Sequence, residues 1–368
     1  MRRRSKFQIA VAAYLLCQVF CCFERLPDTV SDLPFASFVS ACVFDMAAFT
    51  HERLVETKRA LTFQTQVGLA STDCEVSSGR MRLVVAKQVK RMCWYANDYL
   101  RLLRIIPREF HSVNFVLCDK DCLEPDRRFL AVTKSRPITA PKNRTASVVP
   151  VNVGRHFMHV RRAIYEKLKF EHKIPIAVWR GASTSFCWDQ GPVVDRVRNI
   201  PECARWSLVT RWSSSNVSVI DVGISRVVQL SPKLQQAYAP YVKPALTVDD
   251  LLKFKYIVSV QGNDVATNLK WALASNSVVL MPPPTRESFI LESNLKPWIH
   301  YVPLKYDTSD LAEKVMYCEL NEEKCKQISQ AATAWMRNFS SRWRLFRLGA
   351  TVLQAHLKIM QDLERQAL

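Results

Sequence analysis

A group of polar and basic residues follows a predicted buried strand in the second half of the chain. The strand covers residues 255–260, and after a polar turn a helix is predicted over residues 266–274, with Thr267, Asn268 and Lys270 near its start. Ligands bind at the carboxyl ends of strands in an open parallel sheet, and free N–H groups at a helix start favour phosphate. Because the segment has no Gly-rich fingerprint, it is typical both of a phosphate-binding turn and of an ordinary strand–turn–helix unit with polar capping.

The elements around this turn alternate between strand and helix. This alternation predicts an α/β fold with a parallel sheet and helices on both faces. Thr247 is predicted to cap a helix that carries Asp249 and Asp250 in its first turn. The predicted strands are residues 174–179, 217–222, 255–260, 277–281 and 300–304, and the later helices are residues 307–318, 322–338 and 342–363.

The first half of the chain has a less regular pattern. Apolar residues recur at helical spacing over residues 81–103, and residues 113–118 form a short apolar run that predicts a buried strand. Residues 125–153 are rich in Pro, Lys, Arg, Thr and Ser, which predicts loops and turns. Residues 156–169 predict a basic helix.

The N-terminus has the pattern of a targeting segment. A basic cluster at residues 2–6 precedes an apolar run over residues 7–23, which is typical of a signal anchor or a signal peptide. No small-residue cleavage site follows the run, so we predict an uncleaved anchor whose basic side faces the cytosol, with a cleaved signal as the alternative. Residues 24–60 are predicted to form a stem.

The overall charge points to anionic partners. The formal net charge is +19, and the 48% hydrophobic and 23% charged residues argue against a largely disordered chain. Nucleic acid, a membrane surface and a phosphorylated small molecule all fit this charge, because the basic residues are spread through the chain without a long block.

Sequons and cysteines indicate an oxidising lumen. Three Asn-x-Ser/Thr sequons begin at Asn143, Asn216 and Asn338. Nine of the twelve cysteines lie outside the apolar run, and disulfides are expected among them. The close pairs are Cys118/Cys122, Cys187/Cys203 and Cys318/Cys325, although spacing alone does not fix the connectivity.

Several motifs in the same order resemble glycosyltransferase family 90, which includes capsule-associated, lipopolysaccharide-modifying and protein O-glucosyl- or O-xylosyltransferases. The segment 256–271 resembles the family signature, and Trp179-Arg180-Gly181 resembles its aromatic-Arg-Gly motif. The resemblance covers about residues 110–343 and is strongest over residues 173–311. Further matching motifs are residues 253–257, 275–282 and 295–311.

The resemblance implies a GT-B-like architecture, in which two Rossmann-like domains face a cleft. We therefore expect a cytosolic tail and signal anchor (1–23), a stem (24–60), an N-terminal acceptor or base domain (61–170), a C-terminal Rossmann-like nucleotide-sugar-binding domain (171–340) and a C-terminal helix (341–368). The resemblance also implies an inverting transfer from a UDP-sugar without a metal or other cofactor, the UDP-sugar being a co-substrate.

Such a transfer needs a base for the acceptor hydroxyl and positive charge for the departing diphosphate. The family places its base directly after a strand of the N-terminal domain, which corresponds here to Asp119, with Asp121 close behind. A solvated turn carboxylate is the alternative role for either acid.

The resemblance also assigns the residues that hold the donor. Arg180 is expected at the diphosphate or at the domain interface, and a structural Arg–carboxylate pair is its alternative role. Protein O-glucosyltransferases carry a further Arg near the position of Trp188, and here Arg198 or Arg205 could replace it. The expected donor-binding residues are Arg180, Gly181, Ser183, Thr184, Arg205, Gly262, Asn263, Asp264, Val265, Ala266, Thr267, Asn268 and Lys270.

Three other ionisable residues lie in or near the late motif. Glu287 and Glu292 could bind the donor ribose or lie on the surface, and His300 lies in an apolar context typical of a core histidine.

The sequence thus predicts a membrane-anchored transferase of the endoplasmic reticulum or Golgi lumen, secreted if the signal is cleaved. It would move glucose or xylose from a UDP-sugar to a hydroxyl of a protein or glycan. A catalytically inactive nucleotide-sugar-binding protein of the same fold is the alternative. A nucleic-acid-binding protein would fit the charge alone, and the luminal signals argue against it.

Overall fold

A computed structural model describes the fold of most of the chain. The anchor, most of the stem, Asp119, Asp121, Asn143, Cys122, Cys187 and Cys203 lie outside the described residues. Those described are residues 29–30, 33–43, 81–85, 96–112, 114–118, 131–138, 146–184, 194–195, 200–201 and 204–366.

The strands are short and are labelled in chain order. They are β1 Thr29–Val30, β2 Leu33–Pro34, β3 Met81–Val85, β4 Asn114–Cys118, β5 Ala131–Thr133, β6 Ser135–Pro137, β7 Ala146–Val148, β8 Ile174–Ala182, β9 Val194–Asp195, β10 Ile200–Pro201, β11 Ile220–Arg226, β12 Phe254–Val258, β13 Val278–Met281, β14 Arg286–Ser288 and β15 Val302–Pro303.

The helices lengthen towards the C-terminus. They are α1 Phe35–Cys42, α2 Ala96–Ile105, α3 Val153–His156, α4 Val160–Ile164, α5 Ala204–Trp212, α6 Pro232–Tyr238, α7 Val248–Leu251, α8 Leu269–Leu273, α9 Leu311–Leu320, α10 Glu322–Arg337 and α11 Arg342–Gln366.

The chain divides into two compact units. The first comprises Met1–Val153, Glu287–Leu291 and Ser341–Leu368, and the second comprises Gly154–Arg286 and Glu292–Ser340.

The second unit is built on a five-stranded parallel sheet with the order β11-β8-β12-β13-β15. Both β12 and β13 are buried along nearly their whole length, as expected for central strands covered on two faces. Because all five strands run in the same direction, their carboxyl ends lie along one edge of the sheet. The predicted α/β class with a parallel sheet is therefore confirmed, whereas the GT-B architecture stays a prediction.

The first unit contains a second, four-stranded sheet. Its order is β3-β4-β5-β7, with β3 antiparallel and the others parallel. Arg136 of β6 is buried here; its Nε donates to Glu287 Oε1 at 2.8 Å, and its Nη1 donates to the Ala146 carbonyl at 2.7 Å. The long helix α11 packs against α2 and β7.

Two predictions for the first half were wrong. In the helix predicted over residues 81–103, Met81–Val85 is a strand, Ala96–Ile105 is a helix that starts within the predicted range, and residues 86–95 lie outside the described residues. Pairing with β4 decides the conformation of the first segment, because its apolar residues fit a buried strand as well as a helix. Residues 125–153, predicted as loops, contain three strands of three residues each.

The described residues also test the luminal features in part. Cys318 and Cys325 form a disulfide, as the spacing suggested. In the part of the chain that is described, no helix is both long enough and apolar enough to cross a membrane.

Candidate functional site

Three segments that are distant in sequence meet at the carboxyl end of the parallel sheet. Thr184 follows β8, Gly262 follows β12, and Arg205 projects from the first turn of α5. A Cβ atom on Gly262 would lie 2.8 Å from Arg205 Nη2 and 2.9 Å from Thr184 Oγ1. The backbone at residue 262 therefore approaches these side chains as closely as only glycine allows.

Arg205 is the charged residue of these three. Its Nη1 donates to the Ala182 carbonyl at 2.8 Å and to Thr184 Oγ1 at 2.6 Å, and its guanidinium lies 5.7 Å from the ring centre of Trp179. It is 8% exposed. Among the described residues, its Nε has no hydrogen-bond partner and no carboxylate pairs with its guanidinium.

The surroundings of Arg205 lower the pKa of its guanidinium, but the group stays protonated at neutral pH. Burial is the main cause, the positive charge of Arg155 adds to it, and together they lower the pKa to about 10. The side chain therefore remains charged at neutral pH. A desolvated cation without a counter-charge costs folding free energy, and it is suited to binding an anion at this edge of the sheet.

The glycine at position 262 gives a first prediction. Gly262→Ala should lower stability by about 1–3 kcal/mol, because the added methyl group would overlap a guanidinium held by hydrogen bonds. Thermal unfolding would measure the effect. Gly154→Ala is the matched control, since nothing lies within 4 Å of a Cβ atom at that position. An unchanged melting temperature for Gly262→Ala would show that Arg205 is free to move away.

The polar turn itself is held together by internal contacts. The Gly262 N–H donates to the Asp264 carbonyl at 3.1 Å, and Asn263 Nδ2 donates to Gln229 Oε1 at 2.9 Å. Asp264 is buried and forms an ion pair with Arg286 at 3.1 Å. The side chain of Asp264 is therefore paired with Arg286 and stabilises the turn.

The start of the following helix differs from the prediction. Helix α8 begins at Leu269, and Val265 and Ala266 are buried before it. The side chain of Asn268 donates from Nδ2 to the Val258 carbonyl at 2.9 Å and accepts from Ser259 Oγ at 3.1 Å. Asn268 thus joins the helix start to β12, as in the alternative reading of an ordinary strand–turn–helix unit. Thr267 is half-buried.

Lys270, which the sequence suggested as a charge for the diphosphate, already has an acidic partner. It is 1% exposed and forms an ion pair with Glu292 at 3.3 Å, with the ring centre of Phe157 at 5.5 Å. All five residues of α8 are buried, so Lys270 lies in the interior of the unit. Glu292 and Glu287 are both buried in ion pairs, so the surface role considered for them is wrong.

Arg180 has the structural partner considered as its alternative role. Its Nη2 donates to both carboxylate oxygens of Asp221, at 3.0 and 2.8 Å, and Nε donates to the Pro244 carbonyl at 3.1 Å. Burial acts to raise the pKa of Asp221, but hydrogen bonds from Arg180 and Lys243 outweigh it and hold that pKa below its ordinary value. This bidentate pair joins β8 to β11.

The other predicted residues near Arg180 have mainly structural contacts. A Cβ atom on Gly181 would lie 2.4 Å from Cζ2 of the Trp179 ring. Ser183 Oγ donates to the Val228 carbonyl and accepts from the Val228 N–H, both at 2.8 Å. His300 accepts a hydrogen bond from the Lys296 N–H at 2.9 Å and packs on Trp335, as expected of a core histidine.

The contact between Trp179 and Arg205 was missed at the sequence level. The aromatic-Arg-Gly motif marked Trp179, but donor-binding roles were assigned only to Arg180 and Gly181. The separation of 26 positions between the ring and Arg205 left no local signal. Within the described residues no group of three or more His, Cys, Asp or Glu side chains is placed to hold a metal ion.

Comparison with known proteins gives consistent matches. The sequence model for glycosyl transferase family 90 matches residues 125–362, more than half of the chain. The O-glucosyltransferase LpsA of Dichelobacter nodosus is 34% identical over 208 residues, which are 56% of this chain and 55% of that protein. Protein O-glucosyltransferase 2 of Danio rerio is 34% identical over 106 residues, 28% of this chain and 20% of that protein. Human protein O-glucosyltransferase 3 is 35% identical over 108 residues, 29% of this chain and 21% of that protein. The chain thus spans about half the length of LpsA and about a fifth of the two protein O-glucosyltransferases.

Proposed function

The chain belongs to glycosyl transferase family 90, and from this we propose that it transfers a sugar from a UDP-sugar to a hydroxyl group of a protein or glycan. The observation that carries the proposal is Arg205, a buried cation with no carboxylate partner among the described residues, at the carboxyl end of a parallel sheet.

The chemistry of the leaving group explains why such a cation would be retained. When the bond between the anomeric carbon and the UDP oxygen breaks, negative charge grows on the diphosphate. A desolvated guanidinium stabilises that charge more strongly than an exposed one, and its planar donors match phosphate oxygens. Arg180 and Lys270 are committed to Asp221 and Glu292, so Arg205 is the residue to which we assign this role.

We further propose an inverting reaction that needs no metal, with glucose or xylose as the sugar. The names of the relatives, which are O-glucosyltransferases, favour glucose. Attack by the acceptor oxygen on the face opposite UDP would convert an α-linked donor into a β-linked product, while a carboxylate takes the hydroxyl proton.

A donor screen tests the proposal. The purified chain would be incubated with UDP-glucose, UDP-xylose, UDP-galactose and UDP-N-acetylglucosamine, with and without EDTA, and released UDP would be measured. We expect turnover of one donor that EDTA leaves unchanged, and a β-configured product by NMR. UDP binding without turnover of any donor would favour the inactive binding protein, and no UDP binding would refute both.

We also propose a location in the lumen of the endoplasmic reticulum or Golgi. The Cys318–Cys325 disulfide supports this proposal, because disulfides persist mainly in oxidising compartments. The membrane anchor over residues 7–23 stays part of the proposal and lies outside the described residues.

The sequons offer a prediction that depends on this location. Asn216 is exposed in the loop between α5 and β11, whereas Asn338 is half-buried after α10 and is followed by the buried Phe339. When the chain is expressed through a eukaryotic secretory pathway, Asn216→Gln should remove one glycan, seen as a mobility shift abolished by glycosidase. Asn338→Gln should change nothing. A glycan-free wild-type chain would contradict the luminal location.

A further inference from the structure

Tyr238, the last residue of α6, has a buried hydroxyl group that no residue in the described ranges satisfies. The side chain is 1% exposed, and its Oη has no hydrogen-bond partner. Buried tyrosine hydroxyls usually find a partner, and an unsatisfied one costs about 1–3 kcal/mol. Burial raises the pKa of Tyr238 to about 12, so the phenol keeps its proton at neutral pH. The group is therefore available as a hydrogen-bond donor.

Packing holds Tyr238 beside the helix that carries Arg205. The Tyr238 ring packs against Trp206, the residue after Arg205, with ring centres 4.7 Å apart and ring planes tilted by 59°. Tyr241 contacts the same indole edge-on at 5.7 Å. Burial raises the pKa of Tyr238, and the positive charge of Arg205 acts against this effect by lowering that pKa. Two buried donors, Arg205 Nε on α5 and Tyr238 Oη at the end of α6, thus have no acceptor among the described residues.

We propose that Tyr238 is a donor-binding residue whose hydroxyl donates a hydrogen bond to the same phosphate oxygens that Arg205 binds. Two donors without acceptors and a surplus of positive charge are the complement of an anion. A carboxylate from the protein would satisfy both groups permanently, and none is placed to do so among the described side chains. The inference rests on the proposed function, because it takes the anion to be the diphosphate of a UDP-sugar.

Tyr238→Phe tests this role, because it removes only the hydroxyl oxygen and keeps the ring that packs against Trp206. UDP and uridine binding would be measured by displacement calorimetry, together with thermal unfolding without ligand. We expect UDP to bind about tenfold more weakly, as for the loss of one hydrogen bond to a charged group. Uridine binding should stay unchanged, and the unliganded melting temperature should stay equal or rise, since no protein partner is lost.

Tyr241→Phe is the matched control, because Tyr241 packs on the same indole and its UDP affinity should stay within twofold of wild type. A double variant, Tyr238→Phe with Arg205→Lys, should lose less than the product of the single losses, since both residues would bind one anion.

The possible outcomes separate this inference from the proposed function. If the wild-type chain binds UDP and Tyr238→Phe binds it equally well, the role of Tyr238 is refuted and the proposed function stands. Equal weakening of UDP and uridine, or a lower melting temperature without ligand, would make Tyr238 a structural residue. If the wild-type chain does not bind UDP, both proposals fall.

Discussion

Arg205→Met should lower kcat/KM for the UDP-sugar by about 100- to 1,000-fold, the loss typical of removing one preorganised donor to a developing oxyanion. Methionine keeps much of the length and the apolar contact with Trp179 but has no charge and no N–H groups. Steady-state kinetics with the preferred donor would measure the change, and calorimetry with UDP would show whether ground-state binding falls with it.

Two further variants test whether the activity depends on the charge of Arg205, on its planar geometry or on its position in α5. Arg205→Lys keeps the charge and should retain more activity than Arg205→Met, because a lysine ammonium is a point charge without the planar fork. Arg211→Met is the matched control on the same helix; Arg211 is about half exposed, and its ion pair with Asp307 is long, at 3.5 Å. Near-normal kinetics for Arg205→Met would remove the proposed leaving-group contact.

The stability of Arg205→Met bears on the same question. The change removes hydrogen bonds to the Ala182 carbonyl and Thr184, which destabilises the fold, and it also removes an uncompensated buried cation, which stabilises it. Because these effects oppose each other, the free energy of unfolding should change much less than the activation free energy that corresponds to the lost activity. This is the pattern of a residue kept for a ligand.

The sequence predicted the second unit well because its signals are local. Strand after strand was placed within a few residues, and Thr247 caps α7 as expected, accepting from the Asp250 N–H at 3.1 Å while the Asp250 carboxylate accepts from the Thr247 N–H. Capping and apolar runs depend on neighbours along the chain, so one sequence suffices to find them.

The errors in the first unit arise from contacts between distant segments. Met81–Val85 became a strand because β4 pairs with it, and three-residue strands such as Ala146–Val148 are too short for any periodicity to reveal. A sequence pattern measures the preference of a segment alone, and tertiary pairing overrides it.

The site also combines features that local sequence signals predict with features that depend on contacts between distant segments. Gly262 and Arg205 were both expected near the donor, but which cations stay available depends on partners 22 to 41 positions away. Glu292 takes Lys270 and Asp221 takes Arg180, whereas Arg205 is left without a carboxylate among the described residues. Ion-pair choice of this kind is set by the folded geometry, so spacing in the sequence does not reveal it.

Asp119→Asn should lower the rate of sugar transfer by about 100- to 10,000-fold, the range for loss of a general base. The acceptor hydroxyl has a high pKa, so it attacks slowly unless a carboxylate takes its proton as the new bond forms. Asparagine keeps the size of the side chain but does not accept that proton. UDP binding should stay unchanged, since a general base acts on the acceptor hydroxyl and is not required to hold the diphosphate. This result would separate the proposed role of Asp119 from that of Arg205. Single-turnover transfer and UDP calorimetry on the same preparation would measure both quantities.

Asp121→Asn is the matched control, two positions away in sequence, and it should keep most of the activity. The reverse result would move the base to Asp121, and full activity in both variants would remove both acids from the mechanism.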